Sequence, residues 1–368
     1  MKYPPFCPNP HCRKHDLKHR DTSWYESSGY YVTAVSGSIH RYRCRSCGMR
    51  FSEMSFSINY AAKKHLPYDY IFKQLKSAAG IRDIARDLKV SPAAIQNRIA
   101  RMGRQAVAVH MKLKSTLRLN EDLVSDGFES FTVSQYFPNN IHLLAGKDSQ
   151  YLYAFDYAYM ARKGRMTEHQ KRRNRYMREK AQAGETITGS FMTICRQIDR
   201  MLEKRIKKTT VLFTDEKPQY RNVLAMWMFS RDLAHVTVNS KAPRTLTSDL
   251  FSVNYLDREI RKDNANHVRQ TVQFSRNVSN SMERLAIYGL YHNYLKPYRI
   301  NSSEDLVHAE AAGMERKIIT AELKSLFTRR RFFSRLESCV DADRKIWFKE
   351  FRTPGKEKND YVPQYAGY

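Results

Sequence analysis

The chain has 368 residues, 42% of them hydrophobic, so it is long enough for two or three domains and apolar enough to bury a core. Its formal charge of +27 predicts a polyanionic partner, and the aromatic residues interleaved with the charges favour nucleic acid over an anionic membrane. Residues 1–5 lack the apolar run of a signal peptide, and no stretch of about 18 apolar residues follows. We therefore expect a reduced, cytosolic protein without a membrane span.

Four of the six cysteines form two close pairs near the N-terminus: Cys7 with Cys12, and Cys44 with Cys47. Four thiolates in a C-x4-C and a C-x2-C motif can hold one tetrahedral zinc ion. Aromatic residues between the pairs predict short strands, so we interpret residues 1–56 as a zinc ribbon with a structural zinc ion. The alternatives are free thiols or two disulfides, but a disulfide framework is typical of small secreted domains.

The residues around these cysteines are expected at the surface. Four cysteines already complete the zinc shell, so the nearby histidines are not needed as ligands: His11, His15, His19 and His40. Two arginines beside the second pair are expected to face DNA phosphates: Arg43 and Arg45. The two remaining cysteines, Cys195 and Cys339, stand alone and are expected to be buried or inert thiols.

Helical periodicity replaces the strand pattern in residues 57–115. Ile84 and Leu88 lie on one face of a short helix, and Ser91 caps the next helix, with Pro92 at its first position. Two short helices, a tight turn and a helix rich in Gln, Asn and Arg indicate a helix-turn-helix, with an ordinary helical hairpin as the alternative. The side chains expected to point outward and read base edges are Gln96, Asn97, Arg98 and Arg101.

Strands and helices alternate in residues 116–305, in the order β-β-β-α-β-α-β-α of an RNase H-like layer. A basic stretch at about 160–185 interrupts the pattern and predicts an exposed helix or a mobile loop. Residues 306–368 are predicted to be helical and basic, ending in a disordered polar tail. The predicted fold class is multidomain α+β: a zinc ribbon, a helix-turn-helix, an RNase H-like α/β catalytic domain and a helical C-terminal region.

Two aspartates, Asp126 and Asp215, each end an apolar run, which is where open α/β sheets place functional groups. Their strands are neighbours in an RNase H-like sheet, so the two carboxylates should converge and need a cation to offset their repulsion. Mg²⁺ accepts carboxylates together with phosphate oxygens, and two such ions support in-line phosphoryl transfer. For each aspartate alone, a helix or turn cap is the alternative.

The third metal ligand should come from the helix that follows the last strand. Asp257 and Arg261 share a helical face at i, i+4, so one can bind metal while the other contacts phosphate. Glu259 lies about 200° around the helix from Asp257, so both cannot face the site. We predict Asp257 as the third ligand, with Glu259 in reserve. Glu129 and Glu216 are expected to support the first two acids or to face solvent.

From Cys7 to about Arg299, the chain resembles bacterial insertion-sequence transposases of the DDE type, which carry an RNase H-like catalytic domain behind a zinc ribbon and a helix-turn-helix. The blocks that carry the resemblance are residues 40–51, 126–131, 214–220, 269–276 and 291–294. An ungapped match through residues 274–276 puts Asn254 where the family's third acid is expected, and a shift of three residues brings in Asp257. The resemblance thus implies a third acid without fixing it, and a copy with Asn254 there would be inactive.

The resemblance implies cleavage of phosphodiester bonds at transposon ends by water, followed by attack of the freed 3′-hydroxyl on target DNA. Asp126, Asp215 and Asp257 would hold two Mg²⁺ or Mn²⁺ ions. The zinc ribbon and the helix-turn-helix would find the terminal inverted repeats of double-stranded DNA. Further backbone contacts would come from Arg172, Arg173 and Arg269. Joining two DNA ends requires at least two protomers, so a homodimer or higher oligomer is expected on DNA in the bacterial nucleoid.

Two other functions stay open at this point. In the first, the protein is a DNA-binding regulator whose RNase H-like layer is inert. In the second, it is a metal-dependent nuclease that cuts without strand transfer. Cleavage of end-containing DNA separates the enzymes from the regulator, and strand-transfer products separate the transposase from the nuclease.

Overall fold

A computed structural model gives the fold of the chain. It describes residues 4–16, 22–162, 164–180, 186–227, 232–239, 241, 243, 245–268, 273–299, 305–336 and 341–367. These residues form a mixed α and β structure with two sheets and eleven α-helices. None of the helices in this described part combines the length and the apolar character that crossing a bilayer requires.

The N-terminal unit is a small antiparallel sheet in the order β1-β2-β3. Its strands are β1 (Tyr25–Thr33), β2 (Gly37–Cys44) and β3 (Arg50–Ser52), followed by a 3-10 helix at Glu53–Phe56. Gly37, the first residue of β2 after the tight turn, has a φ of +65°, a left-handed conformation that glycine adopts at little cost. Trp24 stacks on Phe51 at 5.6 Å between ring centroids, and Phe6 meets Phe332 from the far end of the chain at 5.1 Å.

Three helices follow: α1 (Tyr68–Leu75), α2 (Ile81–Asp87) and α3 (Pro92–Thr116). The predicted cap of α3 is confirmed, because Ser91 Oγ accepts a hydrogen bond from the Ala94 N–H at 3.2 Å and Pro92 occupies the first turn. Helix α3 has 25 residues, and every residue from Arg98 to Val109 is buried. A helix that is covered all round lies inside a larger core, not on its surface.

The second sheet has five strands. They are β4 (Leu123–Thr132), β5 (Ser134–Gly146), β6 (Leu152–Tyr159), β7 (Thr210–Asp215) and β8 (Leu233–Val238). Their order is β6-β5-β4-β7-β8; β4 pairs antiparallel with β5 and parallel with β7. The accompanying helices are α4 (Glu168–Lys180), α5 (Ile187–Leu202), α6 (Pro218–Met226) and α7 (Phe251–Asp263). The predicted alternation of strands and helices is observed, and the basic stretch contributes α4 as one further helix.

The C-terminal helices pack on this sheet and on α3. They are α8 (Val278–Tyr294), α9 (His308–Ala311), α10 (Arg316–Leu323) and α11 (Asp341–Trp347), with 3-10 turns at Ala265–His267, Phe333–Arg335 and Gln364–Gly367. The prediction of a disordered tail is wrong for the described residues. Trp347 is buried and its indole N–H donates to the Ala366 carbonyl at 2.7 Å, while Phe351 is buried as well. Burial of these aromatic side chains holds the tail against the core.

One apolar core runs from Ile58 to Phe351 and includes side chains of α1–α3, the five-stranded sheet and the C-terminal helices. The predicted domain boundaries at residues 115/116 and 305/306 therefore fall within a shared core. The close packing of α3 against α8 explains this, since a side chain at Gly103 would crowd Glu283, with the nearest atom only 3.0 Å away. Periodicity predicted α3 but could not show which other elements cover it.

Candidate functional site

The two cysteine pairs come together beside the N-terminal sheet. Cys7 Sγ lies 3.6 Å from Cys47 Sγ, Cys12 Sγ lies 3.8 Å from Cys44 Sγ, and all four sulfurs are within 4.8 Å of one another. Four sulfurs bonded to one zinc ion at about 2.3 Å in a tetrahedron would be separated by about 3.8 Å. These separations are too long for disulfides, whose sulfurs are about 2.05 Å apart. The four cysteines could therefore hold a metal ion such as zinc.

Three of these cysteines are buried and Cys47 is exposed. Burial raises the pKa values of Cys7 and Cys44. Burial also acts on Cys47, but hydrogen bonds from the Met49 backbone and the Asn9 side chain outweigh it and lower its pKa to about 7. Since metals bind thiolates, a bound cation would supply the charge that stabilises the deprotonated form of the buried thiols.

His15 contradicts the expectation that the nearby histidines lie at the surface. It is 1% exposed; one ring nitrogen lies 2.7 Å from the Cys7 carbonyl oxygen and the other 2.8 Å from Ser334 Oγ. His15 thus ties the cysteine cluster to the C-terminal region. His11 is exposed, His40 stacks on Tyr30 at 4.4 Å, and His19 lies outside the described residues, as does Cys339. Cys195 is buried as expected.

The second candidate site is a cleft at the end of β4 and β7. Ser125 pairs with Thr214 in the parallel register, so Asp126 and Asp215 follow side by side on neighbouring strands. The predicted convergence of these two carboxylates is confirmed. Lys217 lies between them, with Nζ 3.3 Å from Asp126 Oδ1 and 3.2 Å from Asp215 Oδ2. The strand pattern did not predict this lysine, because Lys217 lies beyond the end of β7, at the residue before α6.

The cleft has a volume of about 1060 Å³ and is bounded on its far side by α7. Asn254, Asp257 and Arg261, at positions i, i+3 and i+7, all line it, since residues at this spacing share one helical face. Arg261 donates to the Glu129 carbonyl at 3.2 Å, and its guanidinium carbon lies 4.5 Å from the Phe128 ring centroid. The predicted shared face of Asp257 and Arg261 is therefore confirmed.

Glu259, the reserve candidate, does not line the cleft. Its carboxylate contacts the Lys296 ammonium and lies 3.3 Å from Lys262 Nζ. The prediction that Asp257 is the third metal ligand stays a prediction. Within the described ranges, the four cysteines form the only group of three or more potential metal ligands whose atoms all lie within 4.8 Å of one another. Asp257 thus shares the cleft with Asp126 and Asp215 without joining them in so compact a group.

Burial and neighbouring charges shift the pKa values of several groups at the cleft. Burial raises the pKa of Asp126, with the neighbouring Asp215 acting in the same direction and Lys217 opposing both. Burial would lower the pKa of Lys217, but the two carboxylates outweigh it and raise the value. Burial raises the pKa of Tyr220 well above its usual range, and four acids add to this effect: Asp126, Asp215, Glu129 and Asp257.

Gly127 lets β4 and β5 pack closely beside the cleft. A side chain there would overlap with the buried side chain of Asn140 on β5. The absence of a side chain lets Asn140 pack directly against Gly127. The Gly127 N–H donates a hydrogen bond to Asp126 Oδ1 at 2.6 Å. The oxygen donors that this strand and its neighbours present are of the kind that Mg²⁺ and Mn²⁺ accept.

The residues predicted to read DNA bases on α3 differ in exposure. Arg98 and Arg101 are 5% and 6% exposed, so the prediction that they point outward is wrong. Arg101 donates to the carbonyls of Ile58 and Tyr60, both at 2.7 Å, and Arg98 donates to the Lys64 carbonyl. These side chains satisfy backbone acceptors of the segment before α1. Gln96 donates to Glu283 at 3.1 Å, and only Asn97 of the four is exposed.

Other cations are exposed near these helices. A shallow groove beside the start of α3 is lined by Lys64, Arg82, Arg86 and Lys89. Arg82 and Arg86 are at i, i+4 on α2, opposite the buried Ile84, so the polar face of that helix could have indicated them. Arg86 pairs with Asp83, and all four cations are exposed.

The remaining predicted cations are placed as follows. Arg43 and Arg45 are exposed on the N-terminal sheet, with side chains 54% and 61% exposed, and each lies near Glu26, at 3.9 and 3.8 Å. Arg172 and Arg173 are exposed on α4, as the basic stretch predicted. Arg269 lies outside the described residues.

No model of a known protein family matches this chain, and no curated protein matches its sequence.

Proposed function

We propose that the protein is a DNA transposase that binds transposon ends and cleaves and joins DNA at the cleft between β4, β7 and α7. The observation that carries the proposal is the pair of carboxylates, Asp126 and Asp215, on adjacent parallel strands in the middle of the sheet. The sheet order β6-β5-β4-β7-β8, with β5 antiparallel to its two neighbours, supports the interpretation of this sheet as an RNase H-like layer.

The N-terminal regions serve DNA binding in this proposal. Cys7, Cys12, Cys44 and Cys47 hold a structural zinc ion, and the sheet they support is a zinc ribbon that presents Arg43 and Arg45 to phosphates. Helices α1–α3 act as a helix-turn-helix. Arg98 and Arg101 are buried, so the proposed DNA contacts come from Asn97 and from the exposed cations of the groove. These cations are Lys64, Arg82, Arg86 and Lys89. Arg172 and Arg173 on α4 add contacts to the DNA backbone.

Asp126 and Asp215 would hold Mg²⁺ or Mn²⁺, with Asp257 or the Asn254 amide as a further oxygen donor. When bound, the ions activate a water or 3′-hydroxyl nucleophile and stabilise the leaving oxygen of an in-line displacement. The chain's own part is to orient the DNA strand. Arg261, anchored on the Glu129 carbonyl and the Phe128 ring, presents positive charge to the phosphate beside Asp257. Two protomers acting together would bring two DNA ends to one target.

The test is cleavage of a duplex that carries the terminal repeats flanking the gene, with Mg²⁺ or Mn²⁺ present. Asp126→Asn and Asp215→Asn should each lose cleavage and keep DNA binding. A direct ligand should cost more than the roughly 10- to 100-fold that an outer-shell partner costs. Asp249→Asn is the matched control, because Asp249 pairs with Lys147 at 2.5 Å outside the cleft. Intact cleavage in both cleft variants would contradict the assignment.

A second function, a DNA-binding regulator with an inert sheet, is favoured by one observation. Asn254 occupies the position where the resemblance expects the third acid, and Asp257 does not join the other two acids in a compact group. Specific binding to the terminal repeats without any metal-dependent cleavage would establish this function. Cleavage without joined products would indicate a nuclease.

A further inference from the structure

The ammonium group of Lys217 lies between the two carboxylates at the floor of the cleft. Nζ is 3.3 Å from Asp126 Oδ1 and 3.2 Å from Asp215 Oδ2, and the side chain is 27% exposed. Without a cation, two carboxylates on neighbouring strands repel each other. Lys217 supplies that cation from within the chain, and it contacts one oxygen of each of the two carboxylates proposed as metal ligands.

Local structure fixes the backbone of Lys217, whereas its ammonium is held by the two carboxylates and lies 5.4 Å from the centroid of the Tyr220 ring. Lys217 is the residue before Pro218, where α6 begins, and its N–H donates to Asp215 Oδ1 at 3.2 Å. The flexible four-carbon stem lets the ammonium move while this backbone contact stays. Since Lys217 lines the cleft, the open direction for that movement is the space that the proposed function assigns to DNA.

We propose that Lys217 is a built-in counter-cation that competes with the divalent ion for Asp126 and Asp215, so that metal loading requires its ammonium to leave the pair. The proposal rests on the proposed function, which supplies the divalent ion. Two cations cannot both occupy the space between these oxygens, because their mutual repulsion is strong where the surroundings are partly dry. Lys217 therefore lowers the metal affinity of the site and keeps the metal-free carboxylates together.

The test is a titration of the full-length, zinc-loaded protein with Mn²⁺ in the absence of DNA. Electron paramagnetic resonance and calorimetry measure the binding. Lys217→Met should bind Mn²⁺ roughly tenfold more tightly than the wild type, the effect of removing two competing ion pairs of ordinary strength. Lys217→Arg keeps the competing charge and should stay near the wild-type affinity. Mn²⁺ should also raise the Tm of Lys217→Met more than that of the wild type.

Lys147→Met is the matched control. Lys147 also pairs with an aspartate, Asp249, and its side chain is 29% exposed, close to the 27% of Lys217. It lies outside the cleft, so Lys147→Met should leave the Mn²⁺ affinity unchanged. Asp126→Asn should remove the signal from each protein and so identifies the site.

The outcomes separate this inference from the function on which it rests. If Asp126→Asn removes a Mn²⁺ site but Lys217→Met leaves its affinity unchanged or weakens it, the competition is refuted while the metal site stands. If neither the wild type nor Lys217→Met binds Mn²⁺ at a site that Asp126→Asn removes, the metal-dependent function fails as well. A gain confined to Lys217→Met supports the inference.

Discussion

The cysteine cluster and the cleft are both potential metal sites, but they are built in different ways. The cluster takes its donors from two short motifs, and two of its sulfur pairs lie 3.6 and 3.8 Å apart, close to the separation in a tetrahedral zinc site. The cleft takes its donors from two strands and a helix that are distant in sequence, and a lysine lies between the two nearest acids. A closed site of this kind serves stability, whereas an open site that leaves room for other ligands suits chemistry.

The largest expected effect concerns the closed site. Cys44→Ser should reduce bound zinc from one ion per chain to almost none and unfold the N-terminal sheet, because structural zinc contributes roughly 10 kcal/mol or more at pH 7. Elemental analysis and limited proteolysis measure the two changes. Cys195→Ser, which alters a buried cysteine of α5, should retain zinc. If wild-type protein is purified folded but without zinc, the cysteine cluster is not a structural zinc site.

The next effect concerns the open site and its third donor. Asp257→Asn should reduce DNA cleavage by more than the roughly 100-fold upper range for an outer-shell partner, because its carboxylate faces the cleft. Glu259→Gln should leave the cleavage rate within a few-fold, because Glu259 pairs with Lys296 outside the cleft. Rates of single-turnover cleavage measure both. A larger loss for Asn254→Ala than for Asp257→Asn would assign the third donor to the amide.

Acid should destabilise the packing of His292 and His308 against Tyr255 of α7. His308 stacks on His292 at 3.9 Å between ring centroids, and burial lowers the pKa of His308 to about 4. Its usual value is 6.5, so below that pH the unfolded chain binds more protons than the folded chain, and stability falls as the pH falls toward 4. Between pH 6.5 and 4.5, His308→Gln should lose roughly 2 kcal/mol less stability than the wild type. Denaturant unfolding at each pH measures the difference.

Zinc content must be followed in the same samples, because acid would also protonate the thiolates of the proposed zinc site and release its ion. An equal loss of stability in His308→Gln and the wild type would assign the acid sensitivity to the cysteine cluster or to other groups. In that case protonation of His308 would not account for the loss of stability in acid.

The last prediction separates the exposed cations of α4 from a buried cation of α3. Replacing Arg172 and Arg173 with alanine should reduce the salt dependence of DNA binding by about two phosphate contacts, with little change in Tm. Arg101→Ala should instead lower the free energy of unfolding by about 1 to 3 kcal/mol, because it leaves the Ile58 and Tyr60 carbonyls without their partner. Filter binding over a salt series and thermal unfolding measure these effects. If Arg101→Ala instead lowers the salt dependence of DNA binding without lowering Tm, Arg101 leaves its buried position and contacts DNA.

Much of the fold could be predicted from local patterns. The cysteine spacing, the Ser91 cap and the apolar runs before Asp126 and Asp215 each reflect contacts within a few residues or the periodicity of one element. The exposure of Arg98 and Arg101 could not be predicted, because it depends on the segment at residues 58–64 folding over α3. The packed tail was missed for the same reason, since Trp347 meets partners from distant parts of the chain.

The sequence by itself determined the two donor sets: four cysteines in two tight motifs, and two aspartates at the ends of apolar strands. Only the tertiary structure decided that Asp257 faces the cleft while Glu259 does not, and that Lys217 lies between Asp126 and Asp215. The physical reason is the range of the interactions. Turn geometry and strand order act within one motif or one sheet, whereas the position of a charged side chain depends on every element packed around it.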